Sequence, residues 1–210
     1  MQIKVFHIEN TFSVTDFENE SWAKTEDVLI DKYWSGKNAP TGRNARARLL
    51  WSDTALYVQF QANQLEPLIV SGTPNLKTKT IGLWDRDVCE IFVAPDIKEP
   101  ERYFEFEVAP TGEWIDLKIH KLTDRRETDF NYNSEMESVA KIEPDKITMA
   151  IKIPWKAFGK TPKANDVWKG NLFRCVGTGE TRGYLAWQPT KTEKPNFHVP
   201  EAFGEFVFVK

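Results

Sequence analysis

One short stretch combines an aromatic ring, a guanidinium and a carboxylate at a spacing that suits binding of a flat, polar ligand. Trp84 stands six residues before Glu90, and Arg86 lies between them in a charged turn. An indole offers a flat apolar face, a carboxylate accepts hydroxyl protons, and a guanidinium donates several hydrogen bonds. The group therefore predicts contact with a ring that carries hydroxyls. The competing interpretation is a strand start, with Trp84 packed at an edge.

A second group of candidate ligand-binding residues lies near the end of the chain. Trp187 precedes a proline and a polar loop, after which Asn196, Phe197 and His198 follow one another. Trp187, Asn196 and His198 are candidates for facing a cleft, although a single histidine is more often structural than a ligand. With three histidines in all, neither a zinc site nor a Ser–His–Asp triad is indicated.

Glu105 and Glu107 form a third candidate group, because they alternate with apolar residues on one strand. Side chains two positions apart on a strand lie on one face, about 6.5–7 Å from each other. Two carboxylates at roughly 5–9 Å also describe a glycosidase pair. The favoured interpretation is a solvated or salt-bridged sheet surface, since a catalytic pair normally comes from different strands that flank a cleft.

The elements that must position these residues are strands, because the apolar pattern repeats every second residue. A short helix is predicted only at 154–158, with proline at its start and glycine after its end. The pattern predicts an all-β, antiparallel two-sheet β-sandwich in one domain, residues 1–210. The long connections 63–83 and 121–136 are expected to be functional or mobile. The predicted strands cover 45–51, 56–61, 87–94, 103–108, 113–120, 147–153, 171–177 and 205–209.

Composition narrows the class of protein. Apolar residues make up 40% of the chain, charged residues 28%, and the net charge is −3. Lysine and arginine form no basic stripe, so nucleic acid is not an expected partner. No apolar run approaches the roughly 18 residues of a membrane span, so no membrane is expected either. The N-terminus resembles a strand rather than a signal peptide, which leaves a cytoplasmic protein or one whose leader is missing.

Cys89 and Cys175 are expected to be buried free thiols, with a disulfide as the alternative.

In the order and spacing of its motifs, nearly the whole chain resembles the family 9 carbohydrate-binding modules and their DOMON-like relatives. The motifs are each weak, but together they are specific. They are the segments 47–58, Leu83-Trp84-Asp85-Arg86-Asp87-Val88-Cys89-Glu90-Ile91-Phe92, 103–112, Ile153-Pro154-Trp155, 170–174 and the stretch from 186–189 to 197–204.

The resemblance implies an immunoglobulin-like or jelly-roll β-sandwich that recognises carbohydrate, often beside enzymes that degrade plant polysaccharides. In such modules two aromatic faces hold a terminal sugar, while a glutamate, an arginine and amides bind its hydroxyls. The Trp-to-Glu spacing of that pattern falls on Trp84 and Glu90. The second aromatic residue is Trp187 or Phe197. The arginine is Arg86 or Arg174.

Three hypotheses follow for function. The first is non-catalytic carbohydrate binding, with no cofactor expected, although the resemblance allows structural calcium. The second is a glycoside hydrolase that uses Glu90, Glu105 or Glu107. The third is a haem-binding electron-transfer domain, as in some DOMON relatives, with axial ligands from His7, His120, His198, Met136 or Met149. No feature of the sequence predicts the sugar, its linkage or the oligomeric state.

Overall fold

The computed structural model describes residues 1–210 and contains strands and short 3₁₀ turns but no α-helix. None of its helical segments has the length and apolar character that a membrane crossing requires. The strands are β1 (Gln2–His7), β2 (Val28–Ile30), β3 (Lys32–Tyr33), β4 (Ala45–Trp51), β5 (Ala55–Asn63), β6 (Val88–Ala94), β7 (Arg102–Val108), β8 (Trp114–Lys121), β9 (Arg126–Asp129), β10 (Glu137–Ile142), β11 (Lys146–Pro154), β12 (Val167–Val176), β13 (Gly183–Ala186) and β14 (Gly204–Val209). The 3₁₀ turns are Glu20–Lys24, Thr41–Arg43, Leu83–Asp85, Trp155–Phe158, Gly179–Thr181 and Pro200–Ala202.

Backbone hydrogen bonds join all fourteen strands into one continuous sheet. Its main path runs β10-β11-β5-β4-β1-β14-β12-β6-β7-β8-β9, with β13, β3 and β2 attached beside it. Neighbours are antiparallel except for β1, which pairs in parallel with both β4 and β14. The prediction of a purely antiparallel arrangement is therefore wrong at β1. Parallel partners need long crossover connections, and such pairings leave no local turn signal in the sequence.

The sheet curls so that one of its faces closes around an inner hydrophobic cluster. Phe60 of β5, Ile91 of β6, Phe106 of β7 and Ile151 of β11 all belong to this cluster. Strands β7 and β11 approach each other directly, although many strands separate them in the sheet order. Burial of these alternating apolar side chains is the main force that holds the curl.

The opposite face of β6, β7, β8 and β12 is covered by a second, outer hydrophobic cluster. Phe197 stacks flat on Phe173, with ring centroids 4.0 Å apart. Phe203 packs edge-on against Tyr103 and Phe92, with centroid distances of 5.3 and 6.3 Å. The C-terminal segment thus lies over the outside of the sheet, and every residue of β6 is buried as a result.

The structure confirms the all-β class and each predicted strand to within a few residues. The predicted helix is the 3₁₀ turn Trp155–Phe158, which ends at Gly159 with a positive φ of 63°. The predicted connection 121–136 contains the short strand β9. The pattern also missed β2, β3, β10 and β13, which are short or carry mixed polar residues. Both cysteines are buried and free, as expected.

Candidate functional site

A cavity of about 270 Å³ opens on the outer face of the sheet, between the strands and the C-terminal segment. Its floor includes Glu90 and Phe92 of β6 and Glu105 of β7. Trp84 stands at its rim, and the segment 195–198 forms the opposite wall. We refer to this cavity as the outer pocket. It combines aromatic rings with convergent polar groups, which is the usual composition of a small-molecule site.

A larger cavity of about 860 Å³ lies beside the N-terminal segment, far along the chain from these residues. Its lining is almost entirely polar and includes Glu9, Asn10, Lys24 and Lys210. Only two apolar side chains line it, Ile8 and Phe12. Phe12 is the one apolar ring in this lining, whereas the outer pocket combines several aromatic rings with buried carboxyl groups, so the outer pocket is the better candidate site.

The turn Leu83–Asp85 holds Trp84 in place. Leu83 is fully buried in the outer cluster and anchors this turn. The Arg182 guanidinium donates to the backbone carbonyls of Trp84 and Arg86, the latter at 2.8 Å. The indole itself is only partly buried. A rim ring on such a fixed backbone is ready to stack on a ligand without prior ordering.

Two further aromatic residues line the outer pocket and were not among the predicted site residues. Phe130 follows β9 and is 44% exposed, which is unusual for so large an apolar side chain. Tyr184 lies on β13, where the Arg182 guanidinium sits 5.5 Å from the centre of its ring. Phe197 is nearly buried because its ring stacks on Phe173. The exposed Phe130 and the partly buried Trp84 and Tyr184 are therefore better stacking surfaces than Phe197.

Three glutamates converge on the floor of the outer pocket. Glu90 of β6 stands directly opposite Glu107 of β7 in the strand register, and Glu105 shares the face of Glu107. One carboxylate oxygen from each lies within 4.8 Å of the others. All three side chains are buried, with exposed fractions of 2, 3 and 0% for Glu90, Glu105 and Glu107. The prediction that Glu105 and Glu107 lie on a solvated or salt-bridged sheet surface is wrong, because the C-terminal segment covers this sheet face and no lysine or arginine forms an ion pair with either side chain.

Burial governs the ionisation of these carboxyl groups. Burial, and then the neighbouring Glu105, raises the pKa of Glu90 to about 8. Burial also raises the pKa of Glu105, and it raises that of Glu107 well above its usual range with further contributions from the other two glutamates. The only side chain that donates to Glu90 is the Cys175 thiol, 3.4 Å from Oε1. The floor is thus an acidic cluster that resists carrying its full negative charge.

The C-terminal wall contributes a histidine that stays neutral. His198 Nδ1 lies 2.8 Å from the Tyr103 hydroxyl, and the backbone N–H of His198 donates to Asn196 Oδ1 at 3.0 Å. Burial, with Arg126 and Lys121 nearby, lowers the pKa of His198 to about 3. At neutral pH the ring therefore carries one proton. If the Tyr103 hydroxyl donates to Nδ1, that proton is on Nε2.

Strand β9 brings Arg126 and Thr128 to the wall next to Phe130. Arg126 is the one arginine that lines the outer pocket. Burial raises the pKa of Glu105 and the charge of Arg126 offsets part of that rise, whereas burial and Arg126 both lower the pKa of His198. The sequence predicted only that the long connection 121–136, which contains this strand, is functional or mobile. The strand itself, Arg126-Glu127-Thr128-Asp129, has no apolar period that could reveal it.

The structure brings five of the eight predicted binding residues together and leaves three apart. Arg86 lies 3.2 Å from the carboxylate of Glu113. Arg174 is buried on the inner side of β12, where it donates to the carbonyls of residues 43 and 44 and to Gln64. Trp187 stacks on Phe206 with centroids 6.1 Å apart. The five that line the outer pocket are Trp84, Glu90, Asn196, Phe197 and His198.

The candidate haem ligands have separate surroundings. Met136 and Met149 belong to the inner cluster. His7 lies 3.0 Å from Asp53, and His120 faces Glu127 at 3.7 Å. His198 alone of the five lines the outer pocket. The arrangement therefore gives the haem hypothesis no pair of axial ligands around one cavity.

The chain is similar to a known protein family and to a fungal protein. The family described as "Carbohydrate family 9 binding domain-like" matches residues 16–210. An extracellular protein of Arthroderma benhamiae is 24% identical over 177 residues, which span 77% of each protein.

Solved structures share the fold over nearly the full length. A Bacteroides uniformis protein superposes with a TM-score of 0.76 at 18% identity, covering 99% of this chain and 98% of that one. A family 9 carbohydrate-binding module from Caldicellulosiruptor kristjanssonii, in complex with cellotriose, gives a TM-score of 0.71 at 17% identity and covers 100% and 94% of the two chains. The same organism's module in complex with glucose gives 0.70 at 17% identity, with 99% and 95% covered. Because the family match spans almost the entire sequence, this chain belongs to the carbohydrate family 9 binding domain-like family.

Proposed function

We propose that this protein is a non-catalytic carbohydrate-binding domain whose site is the outer pocket. The observation that carries the proposal is a partly exposed indole, Trp84, at the rim of a cavity with a carboxylate, Glu90, on its floor. The structural neighbours from C. kristjanssonii were solved with cellotriose and with glucose, which supports a glucose-type sugar as the ligand.

The residues around the pocket suit the two chemical sides of a sugar ring. Trp84 offers a face for the apolar C–H side, and Phe130 offers a second platform. Glu90 accepts hydrogen bonds from hydroxyls, while Arg126 donates to hydroxyl oxygens, as does His198 Nε2 in the tautomer that accepts from Tyr103 at Nδ1. Few groups are needed for orientation, because a shallow site gains most of its affinity from stacking and a small number of directed hydrogen bonds.

The size of the outer pocket favours binding of one end of a sugar chain. Its volume of about 270 Å³ is smaller than the roughly 300–1,000 Å³ of cavities that enclose drug-sized ligands. We therefore propose that a terminal unit enters the pocket and that the rest of an oligosaccharide extends past Phe130.

The carboxylates are better suited to binding than to hydrolysis. A glycosidase needs one carboxyl with a raised pKa and a partner that stays ionised. Here burial raises the pKa of Glu90, Glu105 and Glu107 in the same direction. Aryl-glycosides and cello- or xylo-oligosaccharides should show no turnover. Turnover that disappears in Glu90→Gln would instead establish a hydrolase.

We also propose that residues 1–210 form a single domain with a two-layered β-sandwich of jelly-roll character. The continuous inner cluster supports this description, since it draws on strands from distant parts of the sheet. Limited proteolysis that yields a stable internal fragment would contradict a single domain.

Replacement of Trp84 tests the binding site. We expect Trp84→Ala to weaken cellotriose binding by at least about 30-fold, since a central tryptophan commonly contributes about 2 kcal/mol or more. Calorimetric titration gives the affinity, and thermal unfolding shows that the variant is folded.

Trp187→Ala is the matched control, because Trp187 lies outside the pocket and contacts Phe206 and Gly204. It should lose stability but keep its affinity. If Trp187→Ala loses binding while Trp84→Ala keeps it, the site lies near Trp187.

A further inference from the structure

The three glutamates at the floor of the outer pocket lack the partners that buried carboxylates normally have. Apart from the contact between the carboxyl groups of Glu105 and Glu107, neither oxygen of Glu107 nor Oε2 of Glu105 has a hydrogen-bond partner. No lysine or arginine forms an ion pair with any of the three. The nearest basic side chain, His198, is 3.9 Å from Glu105. Buried polar groups are nearly always satisfied, so these oxygens require an explanation.

The strand register makes the arrangement more unusual. Glu90 and Glu107 are direct cross-strand neighbours on one sheet face. Like charges in that position destabilise a sheet. The pair Glu90 and Glu107, with Glu105 two residues before Glu107 on β7, therefore does not add to the stability of the fold. A ligand that binds to the oxygens would compensate.

We propose that Glu90, Glu105 and Glu107 bind a calcium ion at the floor of the outer pocket, and that its open coordination positions accept sugar hydroxyls. We call the contact between the ion and the sugar hydroxyls the bridging role. It rests on the proposed carbohydrate-binding function, whereas the calcium site itself does not.

The donor atoms and their separations favour calcium. All three ligands are carboxylates, and hard cations such as calcium prefer oxygen donors. Calcium–oxygen distances are about 2.3–2.6 Å, so oxygens on opposite sides of one ion lie up to about 5 Å apart. One carboxylate oxygen of each of the three glutamates lies within 4.8 Å of the others.

The pocket supplies an entry path and the missing ligands. Glu90 and Glu105 line the cavity, whereas Glu107 lies beneath them and is fully buried. Three glutamates cannot by themselves enclose an ion that takes about six to eight oxygens. The side that faces the cavity stays open to water or to the hydroxyls of a bound sugar.

Calcium binding is measured first, without sugar. Calorimetric titration of the EDTA-treated, dialysed protein with CaCl₂ should show one site per chain, and calcium should raise the thermal unfolding midpoint. Glu107→Gln should weaken calcium binding at least about tenfold, because even an outer-shell partner of a metal site can matter that much. Glu105→Gln is a second variant with the same expectation.

Glu113→Gln is the matched control. Glu113 is also buried, but it already has partners in Arg86 and Thr111. It should bind calcium like the wild type. The ion site is overturned if the wild type binds no calcium, or if Glu107→Gln binds it as tightly as Glu113→Gln does.

Cellotriose titrations in calcium and in EDTA distinguish the calcium proposal from the proposed carbohydrate-binding function. Cellotriose affinity in calcium should exceed that in EDTA at least tenfold, and Glu107→Gln should lose this difference although Glu107 does not line the cavity. Equal affinities in calcium and EDTA would overturn the bridging role and leave carbohydrate binding intact. Calcium binding without any sugar binding would overturn the proposed function and leave the ion site standing.

Discussion

Two sets of buried acids lie on neighbouring parts of the same sheet, and they differ in what surrounds them. Asp116 forms an ion pair with Lys79 at 2.5 Å, and Glu113 pairs with Arg86 at 3.2 Å. In contrast, Glu107 forms no ion pair and has no hydrogen-bond partner outside the three glutamates, although it stands on β7, next to the strand of Asp116. We refer to Asp116 and Glu113 as the partnered acids, and to Glu90, Glu105 and Glu107 as the pocket acids. In our proposal the partnered acids stabilise the fold, whereas the pocket acids bind a ligand.

The largest expected effect concerns a partnered acid. Asp116→Ala removes a fully buried carboxylate and leaves Lys79 without its ion partner. Breaking a buried pair in this way typically costs about 3–5 kcal/mol. Urea unfolding should therefore show a free energy of unfolding lower by about 3 kcal/mol, with an unchanged m-value. A loss below about 1 kcal/mol would remove the contrast between the two sets.

A smaller effect is expected from the pH dependence of the pocket acids in EDTA. Burial raises the pKa of Glu90 from 4.5 to about 8 in the folded protein. The folded state therefore holds the proton more tightly, so this contribution to stability is complete below pH 4.5 and is lost as the pH rises through about 8. The free energy of unfolding should fall in that direction, and less steeply in Glu90→Gln.

The informative window is pH 6.5 to 8. The pKa of His198 is lowered from 6.5 to about 3, which makes stability rise with pH below 6.5 and has no effect above it. If the free energy of unfolding changes equally steeply with pH in the wild type and in Glu90→Gln within this window, Glu90 is ionised in the folded protein.

The smallest expected effect is at the rim. Phe130 is 44% exposed, so Phe130→Ala should leave the thermal midpoint nearly unchanged. A lost aromatic contact of about 0.5–1.5 kcal/mol corresponds to a roughly 2- to 12-fold weaker affinity for cellotriose. An unchanged affinity would mean that Phe130 does not stack on the sugar, which would leave Trp84 as the proposed stacking surface.

Much of the fold follows from local pattern. Alternation of apolar residues predicts β5, β6, β7 and β11 because each strand packs one face on the inner cluster, and it predicts β8 because Ile115, Leu117 and Ile119 pack in the outer cluster. The same alternation places Glu90 on the face opposite Ile91, and the structure confirms this placement. The parallel pairing of β1 with β14 joins the two ends of the chain, so no neighbouring residues signal it.

The candidate site was harder to predict from the sequence, because the surroundings of its residues depend on distant segments of the chain. Glu105 and Glu107 look like surface residues in a strand pattern, and only the distant segment around Phe197 and Phe203 buries that face. Arg174 resembles a ligand-binding arginine, yet its partners are backbone carbonyls about 130 residues earlier in the chain. Burial and pairing that depend on remote segments leave no periodic signal.

A crystal structure of the protein with cellotriose tests the central claim most directly. Our account predicts a terminal sugar ring stacked on Trp84, with a hydroxyl within hydrogen-bond distance of Glu90 or of an ion bound to it. A sugar bound beside Trp187 or in the N-terminal cavity, with the outer pocket empty, would contradict it.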